Sequence, residues 1–85
     1  MSAAKLLEKM RRTKTGFGQD DFRTLYKGFG FEEVQGGNHA KYYHPKYDLT
    51  ATVGRHNQLA TGYAASAVKL IDQLLALEAY EENNE

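Results

Sequence analysis

One feature constrains the fold of this 85-residue chain more than any other. It is a short glycine-rich run followed by a segment that ends at a proline. The run Gly36-Gly37-Asn38 predicts the tip of a β-hairpin, because glycine accepts positive φ at little cost and asparagine tolerates it. Side chains from His39 to His44 alternate between the two sides of an extended backbone. Pro45 has no N–H to donate and ends the ladder. The pattern predicts a strand over 39–44 that begins with His39.

Two further strands are predicted on either side of this hairpin turn. Phe31 to Gln35 forms a weak first strand, because the spacing of Phe31 and Val34 breaks the alternation once, as a bulge or a short edge strand would. Leu49 to Val53 forms the third strand. One face is predicted to pack against helices through Ala40, Tyr42, Leu49, Ala51 and Val53. The opposite face is predicted to be open and to carry His39, Lys41, Tyr43, Thr50 and Thr52.

Three helices are predicted around these strands. The first spans about Ser2 to Arg12, with Ser2 as its N-cap. The second begins near Gln19, where Gly18 is the cap and Phe17 and Phe22 have the spacing of a hydrophobic staple. The last begins at Thr61 and has a predicted buried stripe of Tyr63, Ala67, Leu70, Ile71, Leu74 and Leu77. The order of these helices and strands along the chain, α-α-β-β-β-α, predicts an α+β fold. In this fold the helices lie on one face of a three-stranded antiparallel sheet.

Length and composition predict a single domain over residues 1–85. Without cysteine, the chain has neither disulfides nor thiol-based catalysis or metal binding. The net charge is zero, but four of the eleven acidic residues lie in 78–85, which predicts an acidic, disordered tail behind a mildly basic body. Because no segment has the length of a membrane span or the apolar core of a signal peptide, we expect a cytoplasmic protein.

His39 is the candidate catalytic residue. A base that removes the 2′-OH proton of RNA lets the resulting alkoxide attack the adjacent phosphate, and imidazole is suited to this at neutral pH. Lys41, on the same side of the strand, is a candidate to stabilise phosphate charge, and Tyr43 to stack on a base. A polar surface histidine at a turn, without a catalytic role, is the alternative.

The other polar candidates have weaker support. His44 precedes a proline and is predicted to have a structural role at the strand end, whereas Arg55 and His56 are candidates to contact RNA backbone or an acidic partner. The spacing of the three histidines fits no zinc signature, so no metal site is predicted. A basic cluster near the first helix is either a solvated face or a phosphate contact, and it consists of Lys9, Arg11, Arg12 and Lys14.

The order and spacing of several short motifs resemble HicA-type toxins, the mRNA interferases of HicA–HicB toxin–antitoxin systems. These motifs are Gly30-Phe31-Glu32, Gly36-Gly37-Asn38-His39, His44-Pro45, Thr52-Val53-Gly54-Arg55-His56 and Ala67-Val68-Lys69-Leu70-Ile71. The resemblance extends over roughly 20–75, with a HicA-like core over 19–77. Residues 1–15 are similar to the extra N-terminal helix of some members, followed by a basic loop. Asn38 stands where the family usually has serine, and Glu33 where it usually has an apolar residue.

The resemblance implies a fold similar to the double-stranded RNA-binding domain and a metal-independent endoribonuclease that needs no cofactor. It implies His39 as the catalytic residue, mRNA as the substrate, and a HicB-like antitoxin that covers the His39 face. The RNA-binding candidates are Asn38, Lys41, Tyr43, Arg55 and His56. A non-catalytic RNA-binding module and a protein-interaction domain of the same fold are the alternatives.

Overall fold

The structure is a computed structural model that describes residues 2–55 and 59–83. Its order, α-α-β-β-β-α, is the one predicted. The elements are α1 (Ala3–Arg12), α2 (Gln19–Gly28), β1 (Glu32–Gly36), β2 (His39–Tyr43), β3 (Thr50–Gly54) and α3 (Thr61–Asn83). The fold is α+β, with one three-stranded antiparallel sheet, and from α2 onward it has the layout of a double-stranded RNA-binding domain. Within the described ranges, no helix combines the length and the apolar character that crossing a membrane requires.

The sheet has the order β1-β2-β3, and both pairings are antiparallel. A two-residue turn, Gly37-Asn38, joins β1 to β2, and Gly37 has a φ of +26°. Gly36 is the last residue of β1 and lies opposite His39, so the turn is one residue shorter than predicted. On its other side, His39 lies opposite Gly54. The turn therefore fixes the register that places His39 between two glycines.

The core lies between the helices and one face of the sheet. Ala40, Tyr42 and Val53 are buried on that face, as predicted. The ring of Tyr42 stacks on Tyr26 of α2, with centroids 5.0 Å apart and planes at 27°. Burying a large apolar side chain contributes about 1.5–3 kcal/mol, so this face determines on which side the helices pack.

Local capping defines both ends of α2. The Asp21 carboxylate accepts a hydrogen bond from the Gly18 N–H at 3.0 Å, which ties the first turn to the cap. The Phe17 and Phe22 rings meet edge to face at 6.4 Å, which confirms the predicted staple. At the other end, Gly30 has a φ of +93°, in the left-handed region that favours glycine.

The helix α1 also follows its prediction, because Ser2 Oγ accepts from the Lys5 N–H at 3.2 Å and the buried residues are Leu6, Leu7 and Met10. Three cations of the predicted basic cluster make contacts within the fold. Arg11 forms a two-pronged pair with Asp72, Lys14 donates to carbonyls at the end of α1, and Lys9 lies 5.7 Å from the Phe17 ring centroid. The contacts of Arg11 and Lys9 therefore hold α1 against the domain, whereas Lys14 satisfies carbonyls at the end of α1 itself.

The strand β1 begins one residue later than predicted. Phe31 precedes it and is buried, with its ring 5.2 Å from that of Tyr26. Val34 lies on the open side of the sheet with 49% of its surface exposed. The interrupted alternation therefore reflects a short edge strand, in which the helix-facing position belongs to Glu33 instead of an apolar residue.

Two hydrogen-bond donors offset the desolvation cost of turning the Glu33 carboxylate toward the helices. Its carboxylate accepts from Arg23 Nε at 2.8 Å and from the Tyr42 hydroxyl at 2.7 Å. The hydrogen bond from Arg23, supported by that from Tyr42, lowers the pKa of Glu33 to about 2. The network joins α2, β1 and β2 at the edge of the sheet.

The helix α3 extends further than the sequence predicts. It runs from Thr61 to Asn83, so the prediction of a disordered tail is wrong for residues 78–83. The Glu81 carboxylate accepts from the Tyr47 hydroxyl at 2.6 Å and pairs with Lys46 Nζ at 2.6 Å. These contacts hold the last turns of α3 to the loop between β2 and β3.

The predicted stripe of α3 is confirmed in its middle and wrong at its end. Ala67, Ile71 and Leu74 are buried, together with Ala64, which the sequence did not single out. Leu77 is 39% exposed, because the apolar side of α3 leaves the core beyond Leu74.

Replacing Glu33 by glutamine should reduce stability in a pH-dependent way. Since folding lowers the Glu33 pKa from its ordinary value of 4.5 to about 2, its contribution is complete above pH 4.5 and is lost as the pH falls toward 2. At pH 7 we expect Glu33→Gln to lower the free energy of unfolding by about 1–3 kcal/mol. Urea unfolding between pH 7 and 2 measures the difference, which should shrink toward pH 2.

The matched control is Glu8→Gln, which removes one carboxylate from an exposed position of α1. It should leave the pH dependence of unfolding parallel to that of the wild type. A difference between wild type and Glu33→Gln that stays constant down to pH 2 would contradict the role assigned to the Arg23 contact.

Candidate nucleic-acid interface on the open sheet face

The side of the sheet turned away from the helices, here called the open face, holds the candidate site. The register places seven side chains on it: Glu32, Val34, His39, Lys41, Tyr43, Thr50 and Thr52. All seven are exposed, and five of them are those predicted for this face. Strand alternation produces this set, because Ala40 and Tyr42 of the same strand are buried on the opposite face.

His39 stands at an exposed position of the open face. It is the first residue of β2, directly after the turn, and its cross-strand partners Gly36 and Gly54 have no side chains. Among residues 2–55 and 59–83, its imidazole has no hydrogen bond or ion pair. Within these ranges, nothing blocks either ring nitrogen from an incoming ligand.

A shallow groove of about 410 Å³ lies beside the imidazole. Lys41 lies on the same side of β2, about 7 Å along the strand from His39. Val34 and Thr52 flank Lys41 from the neighbouring strands and also line the groove. Asn38, in the turn next to His39, also lines the groove. The groove therefore combines a base, a cation and hydrogen-bonding groups on a solvent-exposed surface.

Tyr43 marks the far end of the open face, about 13 Å from His39 along the strand. It is 37% exposed and lies opposite Glu32 and Thr50. A hydrogen bond to the Glu32 carboxylate raises the pKa of the Tyr43 hydroxyl. The negative charge of Glu32 lies at this end, so a phosphate is better accommodated near Lys41 than near Tyr43.

Of the two remaining RNA-binding candidates, Arg55 is not among the residues that line this groove. The Arg55 guanidinium donates to the Gln35 side-chain oxygen. Gln35 lies opposite Ala40, on the helix-covered face, so Arg55 is engaged on the other side of the sheet from His39. His56 lies outside the described residues.

His44 has the structural role that the sequence predicts. Its ring lies between Phe31 and Tyr47, at centroid distances of 5.2 and 5.1 Å. Its Nδ1 accepts a hydrogen bond from the Lys46 N–H at 3.1 Å. These contacts anchor the end of β2 and the turn that follows it.

Sequence reasoning missed three features of the open face: Glu32, Val34 and the glycine partner Gly54. Each depends on cross-strand register, which the hairpin turn fixes only once its length is known. A prediction of a two-residue turn at Gly37-Asn38 would have identified Val34 as part of the open face, because this turn aligns Val34 with Lys41.

Comparisons of the chain with protein-family models, with curated proteins and with solved structures found no match. The resemblance to HicA-type toxins therefore depends on the motifs of the sequence, and the activity that it implies stays a prediction. Within residues 2–55 and 59–83, no three His, Cys, Asp or Glu side chains form a group that could hold a metal ion.

Two histidine variants should separate structural from functional roles. His44→Ala loses two aromatic contacts and a hydrogen bond, so we expect it to lower the free energy of unfolding by about 1–2 kcal/mol. His39→Ala removes an exposed side chain without partners among the described residues and should stay within about 0.5 kcal/mol of the wild type. Thermal unfolding followed by circular dichroism measures the stability of both variants. An equal loss of stability in the two would refute the assignment of a structural role to His44 and not to His39.

Proposed function

We propose that this protein is a HicA-type toxin, a metal-independent endoribonuclease that cleaves mRNA in the cytoplasm with His39 as its general base. One observation carries the proposal: an exposed imidazole stands between two glycines on the open face, without a hydrogen bond or ion pair in the described residues. Lys41 lies beside it on the same groove. The HicA resemblance of the sequence places the catalytic residue at the same position.

The proposed reaction uses the 2′-OH of the RNA itself. His39 takes the proton of the 2′-OH, the 2′ oxygen forms a bond to the adjacent phosphorus, and the bond from phosphorus to the 5′ oxygen breaks. The leaving 5′ oxygen takes a proton from solvent, and the products are a 2′,3′-cyclic phosphate and a 5′-OH. General-base help of this kind is worth about 10²–10⁴-fold in rate. DNA is excluded as a substrate because it lacks the nucleophile.

Lys41 and Tyr43 have supporting roles in this proposal. The Lys41 ammonium stabilises the negative charge that grows on the phosphate oxygens during the attack. The Tyr43 ring offers a surface on which a base of the same strand can stack, as aromatic residues do in other single-strand RNA interfaces. The position of Asn38 in the turn next to His39 suits a hydrogen bond to the ribose or phosphate.

The proposed toxin needs a protein that silences it, a HicB-like antitoxin in a type II toxin–antitoxin pair. The open face offers such a partner an exposed apolar side chain, Val34, beside the groove and the partly exposed ring of Tyr43. A protein seated there blocks access of RNA to His39 directly, without any change in the fold.

A non-catalytic RNA-binding module is the second candidate. The observation that favours it is the modest charge of the open face, where the Glu32 carboxylate offsets the Lys41 ammonium. Such a face binds RNA weakly and in a salt-dependent manner without breaking a bond. A protein-interaction domain uses the same face without nucleic acid.

The decisive experiment incubates the wild type and His39→Ala with single-stranded RNA in the presence of a chelator. We expect the wild type to produce fragments that end in 2′,3′-cyclic phosphate, and His39→Ala to lose about 10²–10⁴-fold of the rate. Lys41→Ala should also cleave more slowly, because it lacks the charge beside the scissile phosphate. Gel analysis of end-labelled RNA measures all three.

Lys5→Ala is the matched control for Lys41→Ala, because it removes an exposed lysine from α1, which packs against α2 and α3. It should cleave like the wild type. A His39→Ala protein that retains wild-type cleavage overturns the catalytic assignment. Salt-sensitive binding by the wild type without products identifies the non-catalytic module, and no binding at low salt favours the protein-interaction domain.

A further inference from the structure

The two edges of the sheet differ in a way that the proposed nuclease activity does not explain. In the order β1-β2-β3, the outer sides of β1 and β3 have no strand partner among the described residues. The strand β1 carries two glutamates, Glu32 and Glu33, and charged side chains commonly protect a sheet edge from pairing. The strand β3, from Thr50 to Gly54, has neither a charged residue nor a proline. Within the described part of the chain, this edge therefore has no charge or proline that would oppose an added strand.

A groove runs beside this unprotected edge, between β3 and the first half of α3. Its volume is about 490 Å³. The apolar part of its lining consists of Tyr26, Ala51, Val53, Ala60, Tyr63 and Leu70. Lys69 lines the same groove from α3 and is exposed. The groove thus has an apolar floor and one positively charged side.

The dimensions of the groove suit an extended chain. A strand added to β3 lies about 4.8 Å from it, and every second side chain of the added strand points toward the helix layer. Those side chains would enter the groove, while the backbone pairs with the outward-facing N–H and C=O groups of β3. Five residues of β3 offer an edge about 17 Å long.

We propose that the free edge of β3 and its groove bind an extended segment of a partner protein, with alternating apolar side chains and a carboxylate that meets Lys69. Charge complementarity favours this occupant, because Lys69 is charged and no described residue of the lining is acidic. A second copy would bring to the edge only the same set of groove residues, which includes Lys69 and, among those described, no acidic residue. A second copy is therefore the less favourable occupant.

This docking surface shares Thr50 and Thr52 with the open face but lies at the outer side of β3, whereas His39 lies on β2. An added strand extends the sheet sideways and leaves His39 uncovered, so binding at β3 and cleavage at His39 are compatible. Binding at this edge does not require the protein to be a nuclease, because it depends only on the β3 edge, the groove and Lys69.

The probe is a blocked heptapeptide, acetyl-Thr-Val-Thr-Val-Thr-Glu-Thr-amide, which places two valines and the glutamate on one face of a strand. We expect saturable ¹⁵N–¹H shift changes in Thr50–Gly54 and along the first half of α3, and slower hydrogen exchange of outward-facing β3 amides. The same peptide with N-methylated backbone amides should not bind, because it cannot donate to the edge.

Charge-reversed variants test the role of Lys69. Lys69→Glu should bind the glutamate peptide several-fold more weakly and should bind a peptide with lysine in place of glutamate more tightly. Lys5→Glu, which reverses an exposed lysine of α1, should bind both peptides like the wild type.

Four results would overturn the proposal. They are the absence of saturable shifts, shifts confined to residues outside β3 and α3, equal binding of the N-methylated peptide, and a concentration-dependent dimer that protects the β3 amides without peptide. The last of these would identify a second copy as the occupant of the edge.

Discussion

The stacking of Tyr42 on Tyr26 is the contact on which the arrangement of this molecule depends. It joins the central strand to α2, with ring centroids 5.0 Å apart, and both rings are buried. Burial raises the pKa of both hydroxyls above their ordinary value, so the rings stay neutral over a wide pH range. The Tyr42 hydroxyl also donates to Glu33, which ties the edge strand to the same contact. The helices are thereby held on one face of the sheet.

The position of the candidate catalytic group follows from that contact by strand alternation. With Tyr42 turned inward, Lys41 and His39 must point outward, and a slip of one residue would bury both. The sequence was sufficient to predict this much, because the glycine turn and Pro45 limit the strand at both ends. It was not sufficient to predict the partners of His39, because cross-strand neighbours depend on a register that no local pattern specifies.

The helices show the same difference between features set by contacts close in sequence and features set by contacts far apart in sequence. The cap of α2 was predictable, because the Asp21 carboxylate reaches the Gly18 N–H only three residues away. The end of α3 was not, because the contact of Glu81 with Tyr47 joins residues 34 positions apart. Composition alone indicated a disordered acidic tail there, and a tertiary hydrogen bond outweighed it. Glu33 is a similar case, since its partner Arg23 lies on another element.

The measurement that tests this account most directly is RNA cleavage by a Gly36→Val protein. Gly36 does not have a positive φ, and an added Cβ would lie 3.9 Å from the His39 carbonyl oxygen, an ordinary contact. Valine favours a strand, and its side chain would stand beside the imidazole on the open face. The account predicts a folded protein whose cleavage rate falls on the order of 10²-fold. A folded Gly36→Val protein that cleaves RNA as fast as the wild type would contradict it.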